Sequence, residues 1–223
     1  SLSDRIANAG RMDWKESCQI AIQVCNAMAF AHDSGVIHRD LKPSNIMLMP
    51  EPSENFVKVM DFGLCKLIEL DNNRAQKLTQ TGALIGSVNY ISPEQCRGFP
   101  ADKRSDIYSL ASILYECLTG APPHTADNPI GIIHKHANEA ALNPSAKAGI
   151  ELPAGLDEVI QKGLSKDPGQ RYQSMSEFAD DLKQICAGAG SNSGLRKNLS
   201  KAQTKHGLLV ACISFLILAV ITG

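Results

Sequence analysis

Residues 38–45, HRDLKPSN, place several polar side chains able to do chemistry within one short stretch. Asp40 is a candidate base, Lys42 a point charge suited to phosphate, and Asn45 an oxygen ligand for a hard cation. An amphipathic helical pattern ending at His32 precedes them, and the apolar run Ile46, Met47, Leu48, Met49 follows. The chain must therefore hold a polar loop between two structured elements, and that placement favours a functional site over a solvated turn.

Further on comes Met60-Asp61-Phe62-Gly63-Leu64, preceded by the strand-like Phe56, Val57, Lys58, Val59. A third stretch, GSVNYISPE over residues 86–94, ends in Ser-Pro-Glu. HRDLKPSN, DFG and SPE, in this order, resemble the catalytic loop, metal-binding loop and activation-segment end of a protein kinase. The resemblance covers residues 1–187. It implies that Asp40 orients the incoming hydroxyl and accepts its proton, that Lys42 neutralises the transferred phosphoryl group, and that Asn45 and Asp61 hold Mg²⁺ against the phosphates of ATP. Lys42 together with Ser-Pro-Glu argues against small-molecule phosphotransferases and against a tyrosine kinase.

The same resemblance assigns regulatory and supporting residues. Arg39, beside Asp40, is suited to bidentate pairing with a phosphate on the activation loop. Thr79 and Thr81, in LTQTG, resemble the phosphorylated threonine pair of bacterial Hanks-type receptor kinases, which implies autophosphorylation between two copies of the chain. Ser87 stands where the family usually has threonine and keeps the hydroxyl. Glu94 is implied to pair with Arg171, and Asp106 to accept hydrogen bonds from the catalytic-loop backbone.

Periodicity predicts a run of helices, and the resemblance implies a mainly α, protein-kinase-like C-terminal lobe with short strands around the catalytic loop. One helix begins at Asp13, with Glu16 in a capping-box relation, and carries Ile20, Val24, Ala27, Met28 and Ala31 inward. A second, strongly apolar helix spans residues 105–119 and stops at Gly120. A third covers 130–136, where the alternation His134-Lys135-His136 marks both histidines as surface residues. A fourth covers 156–164, and Ser174 with Glu177 caps a last helix. In the kinase comparison this is a C-terminal lobe: the 223 residues hold no GxGxxG, and no room remains before the helix that begins at Asp13 for a five-stranded lobe. The chain is thus expected to be inactive alone, the alternative being a catalytically silent kinase-like membrane scaffold.

Charge and cysteine usage bound the remaining classes. With 22 basic and 23 acidic residues, the net charge of −1 carries no footprint of a nucleic-acid partner. The seven cysteines contain no CxxC pair, which reads as reduced thiols. Residues 188–206 form a linker in which Arg196, Lys197, Lys201 and Lys205 are unbalanced by any acid. Residues 207–223 carry ten Leu, Ile, Val and Phe side chains, and as a helix would span about 25 Å of a roughly 30 Å hydrocarbon core. A single-pass transmembrane helix is expected there, with the basic cluster keeping the kinase body cytoplasmic at the cell membrane and protein Ser/Thr hydroxyls as its substrates.

Overall fold

The structure, a computed structural model, describes residues 1–49, 56–62 and 87–188, all within one compact unit. The expected transmembrane helix, the basic linker beyond Gly188, and the candidates Thr79 and Thr81 lie outside the described residues. Among the described residues no helix is long and apolar enough to cross a membrane.

The described fold is helix-rich with one small hairpin. Helix α1 (Leu2–Ala9) buries Leu2 and Ile6 and is capped reciprocally by Ser1 and Asp4. Helix α2 (Trp14–Asp33) starts at Asp13, whose carboxylate accepts from the amides of Lys15 and Glu16. The predicted return arm of that capping box does not form. Glu16 instead accepts from Arg5 Nε and Nη2 at 3.2 and 2.9 Å, because α1 brings a guanidinium within reach. Cys18, Ala21, Val24, Cys25 and Met28 form the buried stripe of α2, while Phe30 on the other side is exposed. Val24 and Met28 each contribute about 1.5–3 kcal/mol by leaving water.

Strands β1 (Ile46–Met49) and β2 (Phe56–Val59) pair antiparallel, with Ile46 opposite Val59 and Met49 opposite Phe56. The ladder is extended by the Met60 amide, which donates to the Asn45 carbonyl at 2.8 Å. The Val57 amide donates to Gln23 Oε1 at 3.1 Å, tying the hairpin to α2.

Past the 3-10 turn Ser87–Tyr90 and the short α3 (Pro93–Cys96), α4 (Lys103–Thr119) runs through the middle of the core, buried at every position from Ser105 to Tyr115. Gly120 ends it in the left-handed conformation at φ 77°, close under the Gly10 carbonyl, where a side chain would not fit. Helices α5 (Pro129–Asn138), α6 (Pro144–Ala148), α7 (Leu156–Gly163) and α8 (Met175–Cys186) complete the unit. Gly163 lets α7 approach α4 closely: a Cβ there would stand 2.6 Å from that of Ala111. Helix α8 packs along α2, stacking Phe178 on Tyr172 with ring centroids 4.8 Å apart.

One expectation fails on α5. His134 is exposed, but His136 is fully buried, since residues two apart on a helix point in different directions and only one of the pair faces α4.

Candidate active site

Two short connections bring the candidate residues together. Asn45 closes the 3-10 turn Pro43–Asn45 immediately before β1, and Asp61 follows β2 by two residues. The antiparallel register places the start of β1 beside the end of β2, so Asn45 and Asp61 emerge at the same end of the hairpin. Lys42 Nζ donates to Asp40 Oδ2 at 2.9 Å, and Asn45 Nδ2 donates to the Asp40 carbonyl at 3.1 Å. The amide nitrogen of Asn45 thus pins the loop, and its Oδ1 carries no hydrogen bond among the described residues. Asp61 is exposed and adopts φ 57°, a left-handed conformation that aspartate tolerates better than most residues.

Beneath this loop, Asp106 is completely buried near the start of α4. Its Oδ2 accepts from the His38 amide at 2.9 Å and lies 2.8 Å from His32 Nε2, while its Oδ1 accepts from the Arg39 amide at 2.8 Å. Arg39 sits at φ 66°, a strained backbone for a residue with a long side chain. Both neighbouring amides are held by Asp106, and the Arg39 carbonyl accepts from Gln95 Nε2 at 2.9 Å, which offsets the strain. The Arg39 guanidinium is exposed and has no ion-pair partner among the described residues. His38 Nε2 lies 2.9 Å from the Met60 carbonyl, and its ring packs 5.0 Å from that of Phe62, joining the loop that carries Asp40 to the one that carries Asp61.

A second anchor lies below α3. Arg171 Nη1 and Nη2 donate to Glu94 Oε1 and Oε2 at 2.9 and 2.7 Å, and Ser105 Oγ adds a bond to Oε1 at 2.5 Å. Burial pushes the Glu94 carboxyl up, but the bonds from Arg171 and Ser105 outweigh it and hold the group below the usual carboxylate value. The Tyr90 hydroxyl donates to Glu116 Oε2 at 2.5 Å. Burial dominates there, so the Glu116 carboxyl is raised. The backbone of Ser87 opens the 3-10 turn, and its side chain lies outside the described atoms.

Sequence reasoning passed over His32 and Gln95. His32 ends the apolar stripe of α2, and only its position in the last turn, six residues before His38, hints at a role. Gln95 follows Glu94 on a helix of four residues, too short for any periodicity to mark which way it faces.

A family model described as protein kinase domain matches residues 1–183. This chain belongs to the protein kinase family. Among similar relatives, the serine/threonine-protein kinase PknB of Mycobacterium tuberculosis is 43% identical over 185 residues, covering 83% of this chain and 28% of that protein. PknB of Mycobacterium leprae is 41% identical over 189 residues, covering 84% and 29%. A probable PknB of Bifidobacterium longum is 40% identical over 182 residues, covering 82% and 25%. These relatives place the chain with the Hanks-type bacterial serine/threonine kinases. The chain spans between 25% and 29% of their length. The crystal structure of a double mutant of the Mycobacterium tuberculosis PknI kinase domain superimposes with a TM-score of 0.59 at 24% identity, covering 83% of this chain and 61% of that one, a likeness of fold.

Proposed function

We propose that this chain carries the catalytic loop of a membrane-anchored serine/threonine protein kinase, which moves the γ-phosphoryl group of ATP to hydroxyls of protein substrates. The observation that carries the reading is the joining of Asp40, Lys42 and Asn45 by direct hydrogen bonds at the hairpin end from which Asp61 also emerges. An exposed carboxylate and an amide oxygen, both hard donors, beside one ammonium suit Mg²⁺ with a polyphosphate. Asn45 and Asp61 would hold the metal, and Lys42 would face the phosphates. When bound, ATP with Mg²⁺ supplies the phosphoryl group and neutralises its charge.

The side chains of this chain do the rest. Asp40, steadied by Lys42 on one oxygen, orients the substrate hydroxyl and takes up its proton. Asp106 and Asn45 fix the backbone on either side of it, so little reorganisation is needed as the proton moves. The exposed Arg39 guanidinium suits a phosphorylated Thr79 or Thr81, supplied by a second copy of the chain. The basic residues 196–205 and the apolar residues 207–223 support an anchor at the cell membrane with the kinase body cytoplasmic.

In the full-length protein, Asp40→Asn is expected to lower phosphoryl transfer to a protein acceptor at least about 100-fold without changing thermal stability. Transfer within a few-fold of the unsubstituted protein would refute the assignment. Phosphopeptide mapping of the active protein is expected to find phosphate on Thr79 and Thr81. The full-length chain is expected to stay in the membrane pellet after a carbonate wash, and release into the supernatant would refute the anchor.

A further inference from the structure

A cavity of about 450 Å³ opens where the end of α2, the turn after it and the start of α4 meet. His32, Gly35 and Ile37 line it from the chain leading into the catalytic loop, Asp102, Lys103 and Arg104 from the start of α4, and Gln173 from the stretch before α8. Asp40, Lys42, Asn45 and Asp61 are not part of its lining, so the catalytic reading leaves it unused. Its volume is that of a small-molecule site.

The His32 side chain, only 5% exposed, forms part of the wall. Its Nε2 lies 2.8 Å from Asp106 Oδ2, an oxygen that also accepts from the His38 amide, while Oδ1 accepts from the Arg39 amide. A carboxylate holding two backbone amides has no hydrogen to give, so the ring hydrogen sits on Nε2 and Nδ1 of that tautomer is an acceptor. Nδ1 makes no hydrogen bond among the described residues and is not sealed off. A buried ring with one unpartnered acceptor on a cavity wall calls for a hydroxyl from whatever enters.

The charges around the cavity call for an anion. Arg104 Nε donates to both Asp102 oxygens at 3.2 and 3.0 Å and Nη2 to one at 2.6 Å, so these two charges offset each other. Lys103 is exposed and has no ion-pair partner among the described residues, and it stands at the positive end of α4. Arg104 Nη1 reaches Gln173 Oε1 at 3.5 Å, a long bond that leaves this edge of the guanidinium able to hold an oxygen. Ile37 is the one large apolar residue in the lining, which suits a polar occupant.

We propose that this cavity binds a small hydroxylated anion of the sugar-phosphate class, its phosphoryl group held by Lys103 and the Nη1 edge of Arg104, and one hydroxyl donated to His32 Nδ1. Asp106 carries the ring on one side and the His38 and Arg39 amides on the other, so a ligand seated on His32 also steadies the catalytic loop. The site stands on the geometry of the cavity and is independent of the kinase reading.

The test is calorimetric titration of the full-length protein with glucose 6-phosphate, beside inorganic phosphate, which has the anion alone, and glucose, which has the hydroxyls alone. Glucose 6-phosphate is expected to bind at least about tenfold more tightly than either, and equal affinity for inorganic phosphate or no binding of the sugar phosphate overturns the proposal. Lys103→Met and His32→Gln are each expected to weaken binding about tenfold. Lys103 is exposed, so its variant keeps the test decisive even where His32→Gln folds poorly; unchanged affinity in Lys103→Met overturns the site. Amide exchange at Ile37, His38, Arg39 and Arg104 is expected to slow about fivefold with the sugar phosphate bound, a readout that needs no activity. Protection confined to the segment around Asp61 would put the ligand in the catalytic cleft and overturn the proposal. Binding with the expected protection in a protein that transfers no phosphate overturns the kinase reading and upholds the site.

Discussion

Replacing Arg171 by methionine removes the cation on which the lower part of the site hangs. The Arg171 side chain is 0% exposed and makes five hydrogen bonds: two to Glu94, and one each to the carbonyls of Ser165, Arg104 and Lys166. Methionine fills much of the volume but leaves the Glu94 carboxylate with the Ser105 hydroxyl as its remaining side-chain partner. Stranding a buried charge in this way costs about 3–5 kcal/mol. For a body of this size that corresponds to a loss of roughly 6–20 °C in Tm. Glu94→Gln keeps the shape and gives up the charge, and should cost less, about 1.5–3 kcal/mol. In the double variant the costs should add to less than their sum, because the second substitution removes the group the first one stranded.

The pH dependence follows from the lowered carboxyl of Glu94. A carboxylate whose folded value lies below its ordinary 4.5 stabilises fully above that value and loses the contribution as pH falls through the folded value. The Tm gap between the unsubstituted protein and Glu94→Gln should therefore be constant near neutrality and shrink below about pH 4.5. Thermal melts of the three variants from pH 3 to pH 7 read all of this. A loss under about 1 kcal/mol for Arg171→Met, or a gap to Glu94→Gln that ignores pH, would refute the reasoning.

Other substitutions probe separate parts of the fold. Asp106→Asn should turn one amide group towards the donors His38 N and Arg39 N, quicken exchange at both, and cut phosphoryl transfer on the order of 100-fold; unchanged exchange would contradict the role given to that carboxylate. Gly163→Ala should destabilise by about 1–3 kcal/mol as α7 is forced off Ala111, and an unmoved Tm would contradict the tight approach. Glu116, raised by burial, holds its proton to higher pH in the folded chain than in the unfolded one, so its contribution to stability is largest in acid and falls as pH rises through the raised value. Glu116→Gln should remove that slope, and identical pH–stability curves would refute it.

The order HRDLKPSN, DFG, SPE and the apolar periods of α2, α4 and α8 were legible in the chain because they depend on local spacing. Motif identity is a property of neighbouring residues, and a helix reveals its buried stripe through the 3.6-residue period. Helix ends followed for the same reason, as at Asp13 and Gly120, where one side chain or one missing side chain decides the backbone.

What an isolated segment lacks is knowledge of its neighbour. Glu16 left its expected cap for Arg5 because α1 lies across the start of α2. His134 and His136 are the same residue type two positions apart, yet one is in water and the other is sealed against Tyr108, a difference made by how α5 sits on α4. Spacing alone reads Asp106 as an acid near a helix start; the resemblance implied its bonds to the catalytic-loop backbone, and the fold sets the His38 and Arg39 amides against it across 68 and 67 residues of chain. Side-chain spacing declares which residues can share a face, but hydrogen bonds and burial depend on distance in space, and tertiary packing alone sets that distance.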